Sequence, residues 1–183
     1  MPLGALANDD GVRDLVPGLA LPDVALPSML GGTLHLSAKS GTVVVYFYPW
    51  TGRPGFADPP GWDDIPGAHG STPETEGFRD HYPAFQKMDV AIFGVSTQGS
   101  EHQRELAGRL NIPFAILSDE AFVFQKALKL PTFQTGGVAY LKRLTLIVRE
   151  GRIEHVFYPA PTPAAHAREV LDWLRQSGGP RAA

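Results

Sequence analysis

The stretch GSTPETEGFRD, residues 70–80, marks the point where a long loop becomes a helix. A helix leaves its first backbone N–H groups unpaired, so a small polar residue placed there can lie beside a bound anion or carry stabilised negative charge itself. Ser71 and Glu74 also match the spacing of a capping box, and Pro73 suits a first helical turn. The stretch therefore predicts the start of a helix, where Ser71 is either a simple cap or part of a functional site.

The segment upstream of this helix start combines a strand with a long loop. Residues 42–48 form a β-branched and aromatic run, which is typical of a central strand buried on both faces. Residues 49–70 then contain five prolines and five glycines, together with Trp50 and Trp62, and this composition predicts a loop. Two interpretations are open: the tryptophans pack the loop down as a wall over the site, or the loop is a surface Ω-loop without a role in binding.

The segment downstream alternates between helical and strand patterns. Pro83 predicts a kink or an early end in the first helix, and Ser100 is predicted to cap the second. The predicted elements are a helix over 73–87, a strand over 89–96, a helix over 100–110, a strand over 114–117, a short helix over 121–128, strands over 138–149 and 152–158, and a helix over 163–176. This order predicts an α/β fold in three layers, with a mixed sheet flanked by helices.

Composition predicts one globular domain. The 183 residues are 43% hydrophobic and 19% charged, with a net charge of −3 and a pI near 6.0. Because no basic patch, long apolar run or secretory signal is visible, we expect no nucleic-acid or membrane partner and a cytoplasmic location. We expect an N-terminal arm over 1–15, the domain over 16–176 and a flexible tail over 177–183.

The order of several short phrases resembles the peroxiredoxins, which are thiol peroxidases with a thioredoxin-like fold. The phrases are Tyr-Phe-Tyr-Pro at 46–49, Gly-Ser-Thr-Pro-Glu at 70–74, Phe-Arg-Asp at 78–80, Gly-Val-Ser at 94–96 and Leu-Ser-Asp at 117–119. Each phrase is weak alone, but their order is specific and the resemblance extends over residues 16–176. It is closest to the Q-type branch, whose members are similar to bacterioferritin comigratory protein.

The resemblance places the family's peroxide-reducing cysteine at Ser71. A second, resolving cysteine of many members corresponds to Glu76, and this chain contains no cysteine at all. Serine differs from cysteine by one atom, which favours a Cys→Ser variant at position 71, whereas Glu76 looks native. A serine hydroxyl cannot follow the oxidation path of a thiolate. We therefore expect the chain, as written, to be inactive on peroxides.

The resemblance also assigns roles to other residues. Arg143 would supply positive charge beside the cysteine position, and Thr72 would contribute through the backbone N–H groups of the helix start. Pro49 would shape the pocket by ending the strand, and Glu74 would either line the site or serve only as a cap. Ala68 occupies the position where most members carry a Thr or Ser that bonds the peroxide, which is a departure from the family's pattern.

Two functional hypotheses follow. In the first, a cysteine at position 71 would reduce H2O2 and organic hydroperoxides, a thioredoxin-like protein or small thiol would recycle it, and the protein would act as a monomer or homodimer without a cofactor. In the second, the chain is naturally cysteine-free and is a non-catalytic binding or structural protein. The six histidines are scattered without the spacing of a metal site, and Ser71 lies in no nucleophile-elbow pattern, so neither a metal enzyme nor a serine hydrolase is favoured.

Overall fold

The computed structural model describes residues 12–177, and four helices and nine strands follow along this part of the chain. The strands are β1 Ala25–Pro27, β2 Thr33–His35, β3 Thr42–Phe47, β4 Val90–Ser96, β5 Ile116–Ser118, β6 Thr132–Thr135, β7 Val138–Leu141, β8 Leu144–Arg149 and β9 Arg152–Phe157. The helices are α1 Ser71–Lys87, α2 Ser100–Leu110, α3 Val123–Leu128 and α4 Pro163–Gln176, with 3₁₀ turns at Leu36–Ala38 and Trp62–Asp64.

The main sheet has the order β5-β4-β3-β8-β9 and is mixed. β3 and β5 run parallel to β4, whereas β8 runs antiparallel to both β3 and β9. The sheet separates two hydrophobic clusters. Alternate β3 residues such as Val44 and Tyr46 pack with α1, α2 and α4, while Val45 and Phe47 pack with α3 and the chain before β3. The predicted α/β fold with a mixed sheet between helices is confirmed.

Helix α1 continues without interruption to Lys87, so the predicted kink or early end at Pro83 is wrong. Pro83 is exposed on the outer face of the helix. Proline removes the hydrogen bond to the carbonyl four residues earlier, that of Arg79, and on a solvent-facing side water can satisfy that carbonyl. The helix therefore tolerates the proline.

The two helix caps predicted from serines are also wrong. Gly70 is the N-cap of α1 and Gly99 that of α2, and neither helix has a side-chain cap hydrogen bond. Gly70 has a φ of 110°, and a Cβ built there would stand 2.6 Å from Cγ of Pro163. Glycine is required at this position because the backbone is left-handed and α4 approaches closely. Ser71 is consequently the first residue of the helix instead of its cap.

The single strand predicted over 138–149 is two strands in different sheets. β7 pairs with β6, forming a separate two-stranded hairpin, whereas β8 pairs with β3 and β9 in the main sheet. Lys142 and Arg143 lie between the two strands and belong to neither of them. Strand β6 was not predicted, because Thr132–Thr135 is too short to show a clear period.

The predicted N-terminal arm and C-terminal tail lie only partly within the described residues. Residues 1–11 of the predicted arm and residues 178–183 of the predicted tail lie outside them. Leu15 is buried in the core, so packing begins before residue 16. Within residues 12–177, no helix is long and apolar enough to cross a bilayer.

Candidate functional site

The sheet register brings the start of α1 and the residues that precede β8 to the same end of the inner strands β3 and β8. Phe47, the last residue of β3, pairs with Leu144, the first residue of β8. Pro49 follows β3 and is buried, and Arg143 immediately precedes β8. The loop that follows β3 returns to this end of the strands at Ser71. The start of α1 and the residues before β8, about 70 residues apart in sequence, therefore lie side by side there.

Arg143 is the centre of this site, and it is only 5% exposed. Its Nη2 donates to the hydroxyl Oγ of Ser71 at 3.1 Å. The same nitrogen contacts the backbone carbonyls of Gly67 at 3.2 Å, Ala68 at 3.3 Å and His69 at 3.1 Å. The end of the long loop therefore wraps its carbonyl oxygens around the guanidinium and presents it to the helix start.

Glu74 is the counter-ion of Arg143. Its Oε1 accepts a 2.8 Å hydrogen bond from Nη1 of Arg143, and the carboxylate is fully buried. Burial raises the pKa of Glu74 to about 7, and the charge and hydrogen bonds of Arg143 oppose that rise. Of the two roles left open for Glu74, that of a simple cap is wrong, because its carboxylate bonds Arg143 and no side chain caps α1. Within the described residues, Oε2 of Glu74 and Nε of Arg143 have no hydrogen-bond partner.

His166 and Thr145 lie beneath the site and were not predicted as part of it. Both are buried, and the hydroxyl of Thr145 and Nε2 of His166 share a 2.7 Å hydrogen bond. Burial, together with the nearby charge of Arg143, lowers the pKa of His166 to about 4. The sequence did offer one signal for the burial of His166. It lies four residues before Val170, and this spacing places it on the same apolar side of α4.

Three of the predicted site residues are joined by hydrogen bonds that meet at Arg143. Ser71, Glu74 and Arg143 form the bonded set described above. Thr72 is half-buried in the first turn of α1, and Pro49 is buried after β3.

Glu76 lies outside the bonded set. Five residues along an α-helix correspond to a rotation of about 140°, so Glu76 is turned well away from Ser71. Its carboxylate lies 3.7 Å from Arg79. Arg79 also donates to the carbonyl of Leu110 at the end of α2. Glu76 and Arg79 therefore belong to the outer side of α1.

The long loop packs against the β6–β7 hairpin, as the first interpretation expected. Trp62 is buried, and its ring lies 5.6 Å from those of Trp50 and Phe133 and 5.1 Å from that of Tyr140, centroid to centroid. Aromatic contacts at these distances stabilise a packed arrangement beyond simple area burial. The loop thereby forms one wall beside Arg143.

Three exposed side chains of the same loop, Asp58, Asp63 and His69, bring ligand-type atoms within 4.8 Å of one another. Exposed acidic groups commonly approach in this way without a metal, and Asp63 already pairs with His69. We assign no metal site to them.

The chemistry of the site is that of stabilised negative charge at position 71. A helix N-terminus and a buried guanidinium both favour an anion there, and this is the environment that lowers the pKa of a cysteine thiol. The hydroxyl of Ser71 accepts a hydrogen bond from Arg143, and a guanidinium cation cannot act as the general base that a serine nucleophile needs.

The chain is similar to a known protein family and to individual members of it. The Redoxin family profile matches residues 17–171. The chain is 28% identical over 159 residues to the chloroplastic peroxiredoxin Q of Populus jackii, covering 86% of this chain and 67% of that protein. It is 27% identical over 175 residues to peroxiredoxin Q of Sedum lineare, covering 95% and 86%.

Solved structures of similar fold are also peroxiredoxins. A cysteine-to-serine mutant of Xylella fastidiosa PrxQ superposes with a TM-score of 0.73 at 22% identity, covering 90% of this chain and 98% of that one. The bacterioferritin comigratory protein of Xanthomonas campestris, studied for alkyl peroxide reduction, gives 0.71 at 24% identity, covering 88% and 99%. The chain therefore has the thioredoxin-like peroxiredoxin fold and belongs to the Redoxin family, and its relatives include peroxiredoxin Q proteins.

Proposed function

We propose that this chain is a thiol-peroxidase scaffold that is inactive as written and that gains peroxidase activity when position 71 is cysteine. One observation carries the proposal: the side chain of Ser71 lies at the first residue of α1 and 3.1 Å from the buried guanidinium of Arg143. A thiolate in that place would be stabilised by the same two sources of positive potential.

The proposed reaction consumes one peroxide for each oxidation of the thiolate. The thiolate sulfur attacks the terminal peroxide oxygen, the O–O bond breaks, and sulfenic acid and water or an alcohol are formed once the leaving oxygen gains a proton. Because the chain has Glu76 at the resolving position and contains no cysteine, no second thiol of its own can form a disulfide, and an external thiol must reduce the sulfenic acid. A thioredoxin-like protein or a small thiol would serve, in a cytoplasmic protein that is a monomer or homodimer.

The second candidate is a naturally cysteine-free binding protein, and the identity of residue 68 favours it. Ala68 has no hydroxyl with which to bond a peroxide, and its carbonyl is committed to Arg143. A pocket that has lost both the nucleophile and the hydroxyl at this position retains the means to bind an anion, but lacks part of the peroxide-activating network.

The test is peroxide consumption by Ser71→Cys, with dithiothreitol and separately with thioredoxin and its reductase. The proposal expects rapid consumption by Ser71→Cys and none by the parent chain. The matched control is Ser40→Cys, which places a thiol on an exposed loop before β3, at the opposite end of the strand from Arg143.

Equal rates for Ser71→Cys and Ser40→Cys would mean that the site contributes nothing, and would support the binding protein. Circular dichroism and thermal melting of each variant establish that the fold is retained. Activity with dithiothreitol but not with thioredoxin would support the peroxidase function, and would indicate that a small thiol, instead of a thioredoxin-like protein, is the reductant.

A further inference from the structure

The first turn of α1 presents two side chains to a single guanidinium. Nη1 of Arg143 donates to Oε1 of Glu74 at 2.8 Å, and Nη2 donates to the hydroxyl of Ser71 at 3.1 Å. Among residues 12–177, Arg143 is the only arginine or lysine that is buried. The site therefore has one buried cation for two positions at which an acidic group can stand.

A cysteine at position 71 would give this one cation two acidic partners. The buried set of thiol, carboxyl group and guanidinium is neutral when the two acids hold one proton between them. Either a carboxylate then stands beside a thiol, or a carboxylic acid stands beside a thiolate. Ionising both acids would leave a net negative charge out of water, which costs free energy. Two acids related in this way ionise as a coupled pair and not independently.

The surroundings of Glu74 favour a carboxyl group that carries a proton. Its side chain is fully buried, and burial raises its pKa to about 7 in the chain with Ser71, although Arg143 opposes the rise. Oε1 accepts from Arg143, whereas Oε2 has no hydrogen-bond partner among residues 12–177. A proton on Oε2 would leave the bond from Nη1 to Oε1 in place and would remove a charge that is expensive to bury.

The titratable side chains that pack nearby from β3 and α4 are neutral around pH 7. Tyr46 lies in β3 and Tyr48 directly follows it, and burial raises the pKa of both phenols. His166 of α4 is neutral as well, because burial and the charge of Arg143 lower its pKa to about 4. None of these groups exchanges a proton with Glu74 in the pH range in which a thiol ionises.

The charged side chains on the loop side belong to a different space. Asp63, His69 and Lys142 line a cavity of about 690 Å³ that Arg143 also lines, whereas neither Ser71 nor Glu74 lines it. Asp63 and His69 are exposed and pair with each other, so solvent screens their charges. The balance of charge at position 71 therefore depends chiefly on the guanidinium and on Glu74.

We infer that Glu74 shares one proton with the group at position 71, so that a thiolate forms there as Glu74 becomes protonated and Arg143 faces one negative charge at a time. The proton count balances, because the S–H bond that breaks is matched by an O–H bond on the carboxyl group. Glu74 is thus a positioning residue that acts on the nucleophile through Arg143. The inference rests on the proposed function, which supplies the cysteine.

The first experiment compares the thiol pKa of Ser71→Cys with that of Ser71→Cys/Glu74→Gln by ultraviolet absorbance. Glutamine keeps an oxygen for Nη1 of Arg143 but has no charge, so the thiol pKa should fall by about one pH unit, a tenfold change in the dissociation constant. If Glu74 only holds Arg143 in place, the pKa should stay the same or rise, and this result would overturn the inference. Ser71→Cys/Glu76→Gln removes the same charge from the outer side of α1 and should titrate like Ser71→Cys.

A second measurement leaves Glu74 in place and does not depend on the folding of the double variant. Carbon-13 NMR of the side-chain carboxyl carbon of Glu74 reports its protonation in the parent and in Ser71→Cys. The parent should show one titration step, whereas Ser71→Cys should show a second step at the pH where the thiolate absorbance rises. The same single step in both proteins would refute the sharing of a proton.

Peroxide consumption at several pH values, with dithiothreitol as reductant, separates this inference from the proposed function. The pH of half-maximal rate should be lower in Ser71→Cys/Glu74→Gln than in Ser71→Cys, by the same amount as the thiol pKa. Absence of turnover together with a two-step titration would contradict the peroxidase and support the shared proton. Turnover with a pH profile that Glu74→Gln leaves unchanged would support the peroxidase and contradict the shared proton.

Discussion

Arg143 and Glu74, 69 residues apart in sequence, form a 2.8 Å hydrogen-bonded ion pair in which both side chains are almost wholly buried. Removing water from two such charges is costly, and their attraction offsets that cost only while both are present. The pair holds α1 to the chain before β8 and sets the orientation of the guanidinium toward Ser71. Its energetics can therefore be tested separately from any activity.

Loss of Arg143 alone should destabilise the protein strongly. Arg143→Met leaves the Glu74 carboxylate buried without its partner, and we expect the free energy of unfolding to fall by about 3–5 kcal/mol. Urea denaturation at neutral pH measures this change. The control, Arg149→Met, removes a half-exposed arginine at the end of β8 and should cost much less.

Replacing both Arg143 and Glu74 should lower the free energy of unfolding by less than the sum of the losses in the two single variants. Arg143→Met combined with Glu74→Leu replaces the pair by apolar groups and should recover much of the stability lost in Arg143→Met. A double variant whose loss equals the sum of the two single losses would show that Arg143 and Glu74 are not energetically coupled.

The pH dependence of stability should depend on two buried groups that act in opposite directions. The pKa of Glu74 is raised from 4.5 to about 7, so its contribution is fully present below pH 4.5 and is lost as pH rises through 7. The pKa of His166 is lowered from 6.5 to about 4, so its contribution is present above pH 6.5 and is lost as pH falls through 4. The two effects oppose each other between pH 4.5 and 6.5.

Single substitutions should separate these effects. Between pH 6.5 and 4.5, acidification should lower the free energy of unfolding of Glu74→Gln relative to the parent and raise that of His166→Gln, each by on the order of 2 kcal/mol. Urea titrations at several pH values provide the measurement. Glu101→Gln, on the exposed face of α2, should follow the parent. Parallel profiles for all three variants would contradict the assigned shifts.

The thiol introduced by Ser71→Cys should ionise below the usual cysteine pKa of about 8.5. The N-terminus of α1 and the guanidinium 3.1 Å from the position-71 side chain both favour the thiolate. Ultraviolet absorbance of the thiolate, followed through a pH titration, reports the pKa directly. Ser40→Cys should titrate near the ordinary value, and equal pKa values for the two variants would remove the electrostatic basis of the proposed activity.

Two glycine substitutions should have opposite effects on stability. A Cβ at Gly94 would stand 2.8 Å from the Tyr46 ring, which is stacked on Phe78 beneath α1, so Gly94→Ala should cost about 1–3 kcal/mol. Gly108 is within α2 with open space around it, so Gly108→Ala should stabilise by about 0.5–1 kcal/mol. Thermal unfolding of both variants decides the matter. A neutral Gly94→Ala would mean that the ring moves aside easily.

Much of the fold was predictable because the signals are local. The run of apolar residues in β3, the helical spacing in α1 and α4 and the order of short motifs were enough to predict a mixed α/β fold and to select Ser71 and Arg143. The errors were also local. Pro83 and Ser100 were assigned by average preferences, which do not record that Pro83 faces solvent or that Gly99 provides the cap.

The sequence by itself determined that this chain has no thiol, that a helix begins near residue 71 and that an arginine precedes an apolar strand. Tertiary structure alone decided that Arg143 is buried, that Glu74 is its partner instead of a cap, and that His166 lies beneath the site. Tertiary structure also decided that the end of the loop over 49–70 forms part of the wall of a cavity that Arg143 lines. The physical reason is that burial and pairing of charges depend on the distance between segments that are remote in sequence, and only the folded chain sets that distance.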